Sequence, residues 1–246
     1  MSAKLLLSVG MPRAGSGWYY NLTHDLVVAA GFQDARELRK RYHLERVLTE
    51  VNCNIGALTP HRLFLVLIPA SLGNIFVIKT HAGLTRLARF FIQHEVIKPL
   101  YIYRDPRDAL LSAYEYGERS RQNSKTSAFS QLRTIEDAVD FMHDYLEISR
   151  AWLACRKVLH TRYEDLLLDY DIEVNRIVQY LNLDRENVLL REVIENYRPG
   201  GVKSGQQGTH LVKGKIGRYK DKLTIEQQSL CLHVFQPYLE EMGYNL

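Results

Sequence analysis

The stretch Leu5-Leu6-Leu7-Ser8-Val9-Gly10-Met11-Pro12-Arg13-Ala14-Gly15-Ser16-Gly17-Trp18 decides the reading of this chain. Leu5 to Val9 is short and almost wholly apolar, the pattern of a strand buried on both faces. Gly10 to Gly17 then brings three glycines and a proline, which marks a turn. From Trp18 to Ala30 apolar residues recur at helical spacing, and Gly31 closes the helix. Strand, glycine turn and helix in that order open a phosphate-binding α/β unit. The backbone N–H groups of the turn and the positive end of the helix can share one anion.

Gly10 to Gly17 fits the glycine spacing of the P-loop pattern GxxxxGK[ST] but departs from it twice. Ser16 stands where the lysine would reach β and γ phosphates, and Gly17 where a hydroxyl would hold magnesium. A cation remains inside the loop as Arg13. These residues describe a site for one phosphate, without a polyphosphate and without a metal. The competing reading is a ligand-free glycine turn; it leaves unexplained an arginine between two loop glycines followed by Ser-Gly-Trp.

Outward from this stretch, strands alternate with helices. Strands are expected at Ile75–Lys79, Leu100–Tyr103 and Val158–Thr161. Helices are expected at 36–51, 60–71, 83–95, 106–117, 135–153, 172–181, 186–196 and 223–242. Gly117–Ser130 and the glycine-rich Pro199–Gly217 read as flexible loops. This alternation implies one α/β domain over residues 1–246, a P-loop-like parallel sheet with helices on both faces.

With 246 residues the chain can bury a sizeable core. Its formal net charge of +4 suits a phosphorylated ligand and does not demand nucleic acid. The three cysteines, Cys53, Cys155 and Cys231, are far apart and form no metal spacing, so a reducing, cytoplasmic location is expected. The longest apolar run, Leu63 to Ile68, is too short to span a bilayer, and no membrane partner is expected.

Three further segments place chemistry at strand or loop edges. Ile78-Lys79-Thr80-His81 ends a strand, the edge where open α/β sheets gather ligands. In Tyr103-Arg104-Asp105-Pro106-Arg107-Asp108-Ala109-Leu110-Leu111-Ser112, Arg104 can grip a phosphate bidentately and Ser112 can add a hydroxyl two helical turns later. The alternative there is a simple Arg104–Asp108 pair at a helix start, and Arg107 reads as structural. Val212-Lys213-Gly214-Lys215-Ile216-Gly217-Arg218-Tyr219-Lys220 is a basic glycine loop.

Together these segments resemble the PAPS-dependent sulfotransferase family, whose donor is 3′-phosphoadenosine 5′-phosphosulfate (PAPS) and whose nucleotide product is PAP. Pro12-Arg13-Ala14-Gly15-Ser16-Gly17-Trp18 is similar to its PKSGTTW signature, Lys79-Thr80-His81 to its KTH segment, and Arg104 with Ser112 to its 3′-phosphate signature. Arg162-Tyr163-Glu164-Asp165-Leu166 is similar to its YEDL segment, and Val212–Lys220 to its RKGxxGDWK loop.

The resemblance implies that Arg13, Ala14, Gly15, Ser16 and Gly17 wrap the 5′-phosphate and that Trp18 and Tyr163 serve the adenine side. It implies that Arg104, Ser112, Lys213 and Gly214 serve the 3′-phosphate. His81 is then the catalytic base, with Lys79 and Arg13 stabilising charge on the transferring sulfuryl group. Gly17 for threonine, Ala14 for serine and Val212 for arginine each remove a donor contact of the family pattern.

The partner implied is a small-molecule acceptor with a hydroxyl or amine. Lys220, Thr224 and Ile225 partly match a dimerisation motif, with Ser229 where its glutamate would stand. Thr224 with Gln227 is equally a helix capping box, so monomer and homodimer both stand. The alternatives are a P-loop kinase, against which the missing lysine and hydroxyl argue, and a non-catalytic nucleotide-binding protein, against which Lys79 and His81 argue.

Overall fold

The computed structural model describes residues 4–202 and 215–246. Its sheet has four strands, β1 (Leu5–Gly10), β2 (Phe76–Thr80), β3 (Ile97–Tyr103) and β4 (Leu159–Arg162). All neighbours are parallel, in the order β2-β1-β3-β4. Every residue of β1 is buried, which is why its sequence runs apolar without alternation. The chain leaves β1 for β2 on one side and returns across it to β3 on the other. The order therefore reverses beside β1, and ligands of such sheets bind at the carboxyl ends there.

The helices are α1 (Ser16–Ala29), α2 (Ala35–Arg41), α3 (Pro60–Ser71), α4 (Arg86–Gln93), α5 (Pro106–Gln122) and α6 (Ile135–Leu153), then α7 (Tyr163–Leu168), α8 (Tyr170–Leu181), α9 (Val188–Tyr197), α10 (Tyr219–Lys222) and α11 (Ile225–Glu241). They cover both faces of the sheet. Tyr101 and His160 are register partners, and both reach α6: the Tyr101 hydroxyl donates to Ser149 Oγ at 2.6 Å, and His160 Nε2 lies 3.1 Å from the Trp152 carbonyl. The next pair, Ile102 and Thr161, faces the other way. There Thr161 Oγ1 bonds the Tyr19 hydroxyl of α1 at 2.9 Å. One apolar cluster joins the strands to α1, α3 and α8; a second joins α5, α6 and α11 and takes in Met11 and Ala14 of the turn. Among the described residues no helix is long and apolar enough to cross a membrane.

Several boundaries differ from the sequence reading, each for a tertiary reason. The helix expected over 36–51 stops at Arg41, with Tyr42 as its cap and His43 at φ 52°. The chain then returns to the sheet, where Cys53 to Ile55 bracket Lys79: Lys79 N donates to Cys53 O at 3.2 Å and Ile55 N to Lys79 O at 2.9 Å. Helix α5 does not end at Gly117 but runs to Gln122. Gly117 is required there for close approach, since a Cβ on it would lie 2.2 Å from the Phe129 carbonyl oxygen. Strand β3 begins before Pro99, which is tolerated because β4 pairs with β3 only from Leu100 onward. At Thr224 the capping box is present, with reciprocal bonds to Gln227 of 3.1 and 3.3 Å. Most of the Pro199–Gly217 loop, including Val212, lies outside the described residues.

Candidate anion and group-transfer site

All four strands deliver site residues from their carboxyl ends: the turn after β1, His81 after β2, Arg104 after β3 and Tyr163 after β4. The turn closes tightly. Met11 N donates to Ile102 O at 3.0 Å and Ala14 N to Met11 O at 3.2 Å. Arg13 adopts φ 63° and Gly15 φ 77°. Gly15 caps α1 in the left-handed region and offers no side chain to the first helical N–H groups. Such uncapped donors at a helix start favour a negative charge. A Cβ at Gly15 would meet the Tyr163 ring at 2.7 Å, so the turn and the β4 edge can pack only with glycine there.

Arg13, Gly15, Ser16, Gly17, Arg104, Ser112 and Tyr163 line a single small cavity of about 50 Å³. Arg13 Nε donates to Ser112 Oγ at 3.2 Å, and its guanidinium lies 4.7 Å from the centre of the Tyr116 ring and 5.7 Å from that of Phe129. The sequence reading set Arg13 and Ser112 at opposite ends of a nucleotide; in the fold they are hydrogen-bonded neighbours. Burial lowers the Arg13 pKa to about 10, against the attraction of Tyr116 and with the repulsion of Arg119 and Arg104.

Arg104 lies over the Tyr163 ring at 4.4 Å. Its Nη2 donates to Asp108 Oδ2 at 3.3 Å and to the Lys215 carbonyl at 2.9 Å. Its Nε is buried without a partner among the described residues. Asp108 is fully enclosed and also accepts from Gly217 N at 2.7 Å and Tyr219 N at 3.1 Å. The Arg104–Asp108 pair foreseen as an alternative therefore exists, and it does more than pair: it ties the cavity-lining arginine to the chain at 215–219. Arg107 is structural, held by Asp105 at 2.9 Å and by the Asn245 carbonyl at 2.7 Å.

His81 stands on the same edge. Its Nδ1 is 2.6 Å from the Gly10 carbonyl oxygen, where the phosphate turn begins. A carbonyl can only accept, which assigns the proton to Nδ1 and the lone pair to Nε2. Burial lowers the His81 pKa to about 4, with further lowering by Lys79 and Arg13 and opposition from the Gly10 bond. The imidazole is therefore neutral at pH 7 and its Nε2 can accept a proton. Burial, and secondarily Arg13, lowers the Lys79 pKa to about 8, and its ammonium has no hydrogen-bond partner among the described residues.

Trp18 lies outside the cavity lining. It is 1% exposed, donates from Nε1 to the Tyr197 carbonyl at 3.0 Å, and stacks on Tyr170 at 6.1 Å. Ala14 is buried in the second apolar cluster. Lys213 and Gly214 lie outside the described residues. The Gly10 carbonyl, Tyr116, Phe129 and the Lys215 carbonyl were not singled out from sequence. Only Tyr116 left a signal, one helical turn after Ser112.

The cavity lining is basic and rich in hydrogen-bond donors, a chemistry that suits an anion. Two arginines line one cavity, the first amides of α1 have no side-chain cap, and the buried Arg104 Nε has no acceptor among the described residues, so the turn concentrates donors on one spot. Sheet order and turn define a single P-loop-like α/β domain with a basic cavity and the His81 imidazole on the same edge of the sheet.

The chain belongs to the sulfotransferase domain family, whose model matches residues 4–243, and it is a sulfotransferase-family enzyme. Among solved structures it is similar to retinol dehydratase in complex with androsterone and the inactive cofactor PAP, at 18% identity over 99% of this chain and 82% of that one, with a TM-score of 0.61. Mouse sulfotransferase SULT7A1 complexed with PAP matches at 16% identity over 98% of this chain and 85% of that one, TM-score 0.64. The sulfotransferase domain from the curacin biosynthetic pathway matches at 12% over 100% and 99%, TM-score 0.50. At these identities the likeness is one of fold. No curated protein sequence matches the chain.

Proposed function

We propose that this enzyme transfers the sulfuryl group of PAPS to a hydroxyl or amine of a small-molecule acceptor and releases PAP, with His81 as general base. The observation that carries the reading is the 2.6 Å bond from His81 to the Gly10 carbonyl, which holds a neutral imidazole beside the anion turn with Nε2 free to accept. The acceptor oxygen or nitrogen attacks sulfur and gives its proton to Nε2. The bond from sulfur to the 5′-phosphate oxygen breaks, and that oxygen keeps the electron pair. Arg13 and Lys79 stabilise the charge, a preorganised electrostatic contribution made before the reaction starts.

A chain of rings beginning beside Arg13 supports a small organic acceptor. Half-buried rings run from Arg13 along the start of α6: Tyr116 to Phe129 at 5.6 Å, Phe129 to Phe141 at 5.5 Å, and Phe141 to Tyr145 at 4.9 Å. Ile148, the next residue on that stripe, comes within 4.0 Å of a Cβ built on Gly83, two residues past His81. The PAP complexes of the similar structures, with androsterone or retinol present in two of them, support the same class of acceptor.

The test is His81→Ala with PAPS and a panel of phenols, alcohols and amines. Turnover should fall about 10²- to 10⁴-fold while PAP still binds within about twofold. Surviving turnover would remove His81 as the base. ATP turnover with Mg²⁺ and none with PAPS would sink the donor assignment.

A further inference from the structure

Helix α3 buries Leu63, Val66 and Ala70 and leaves Phe64, Ile68 and Leu72 outside, at 56%, 48% and 66% exposure. Those three lie four residues apart, on one stripe. On α4, Phe90 is exposed on the stripe of Arg86 and His94, with its ring 4.4 Å from His94. Phe91 joins the two helices, 6.1 Å from Phe64 and 5.8 Å from Phe90. Phe64 and Phe90 are the two exposed phenylalanines among the described residues, and they share this patch.

The surrounding charge has one sign. From Val51 to His94 the sequence has no aspartate or glutamate, while α3 and α4 carry Arg62, Arg86 and Arg89. Glu95, just beyond, is matched by Lys157 at 3.5 Å. Two copies meeting through this face would set arginines against arginines, so the charge argues for an anionic partner. The side chains stand out from two adjoining helices that present an apolar strip with basic residues beside it, the pattern of helices lying in a membrane interface.

We propose that the α3–α4 face docks on an anionic lipid surface. Phe64, Ile68, Leu72 and Phe90 enter the interfacial layer, and Arg86 and Arg89 meet headgroup charge. The sequence reading expected no membrane partner because no segment can span one; a surface-lying pair needs no span. Since α4 begins five residues after His81, docking sets the loop that carries the imidazole near the lipid boundary. The inference does not depend on the PAPS reading.

The full chain is sedimented with vesicles of phosphatidylcholine alone and with about 30% phosphatidylserine. Binding is expected to be at least about tenfold stronger to the anionic vesicles and to weaken as salt is raised. Phe64→Ser with Phe90→Ser should weaken it by about tenfold or more, and Arg86→Gln with Arg89→Gln should abolish the preference for phosphatidylserine. Leu72→Trp should blue-shift on binding, since native Trp18 and Trp152 are buried and serve as a constant background. Circular dichroism and thermal midpoints check that each variant is folded, and the arginine pair keeps the test decisive if the phenylalanine pair is not. No binding to either vesicle overturns the proposal, as does binding that both double variants retain. A dimer dissolved by the phenylalanine pair, without vesicle binding, would assign the face to a second copy. Equal binding to polyglutamate would assign it to an acidic protein.

Discussion

Replacing Asp108 by Asn tests the tie between Arg104 and the chain at 215–219. The change keeps shape and volume and removes the charge. Oδ2 of Asp108 accepts from Gly217 N at 2.7 Å and Arg104 Nη2 at 3.3 Å, while Oδ1 accepts from Tyr219 N at 3.1 Å. An amide has one oxygen. Whichever way it turns, an NH₂ group faces Tyr219 N–H, or faces Gly217 N–H and Arg104 together. Each buried donor so stranded costs about 1–3 kcal/mol, and breaking a buried ion pair costs about 3–5 kcal/mol in all. For a chain of this size that corresponds to a fall in thermal midpoint of roughly 6–20 °C. Thermal unfolding followed by circular dichroism gives the midpoint. Hydrogen exchange of the peptide spanning 215–222 should show faster exchange at the Gly217 and Tyr219 amides. A midpoint within about 2 °C of the parent, with unchanged exchange, would refute the reasoning that Asp108 anchors both.

Two further outcomes follow from the site. Lys79 titrates at about 8, below its ordinary value because of burial and Arg13. Only its ammonium form attracts an anion, so PAP affinity should be flat below pH 8 and fall above it, by up to about tenfold per pH unit until the bound-state pKa is reached. Lys79→Met should flatten the calorimetric profile, and a fall that persists in that variant would remove Lys79 from the donor site. Gly15→Ala forces an L residue to φ 77° and drives Cβ into Tyr163, the ring beneath Arg104. A cost of at least about 1–2 kcal/mol from the backbone alone, measured by denaturant unfolding, should come with weaker PAP binding; an unaffected variant would show that the turn relaxes freely.

Much of this molecule could be read from one short stretch because its local and tertiary demands agree. The unbroken apolar run of β1 matches burial on both sides, and the glycines answer real constraints at φ 77° and at the Tyr163 contact. The placement of the Lys79–His81 and Arg104–Ser112 segments at the carboxyl ends of β2 and β3 was legible because each follows a short apolar run. What stayed hidden depended on contacts distant in sequence. Leu44, Val47 and Leu48 suit a helix, but the chain at 44–55 leaves the helix to bracket β2. Gly117 signals a break by composition and is there to admit the Phe129 carbonyl. The acceptor of the His81 Nδ1 proton is a backbone oxygen, and every residue carries one, so no side-chain pattern could announce it.

The crossing at Gly117 has a consequence for how this enzyme can change its acceptor. The Phe129 carbonyl rests on the α-carbon of a helix that holds Ser112 five residues earlier, and the Phe129 ring flanks the Arg13 guanidinium. On the proposed function, the aromatic wall and the basic cavity are thus bolted together at one hydrogen-sized hinge pin. Substitutions at Phe141 or Tyr145 can reshape the wall while that fastening stays in place, whereas anything larger at 117 would pry both halves loose at once.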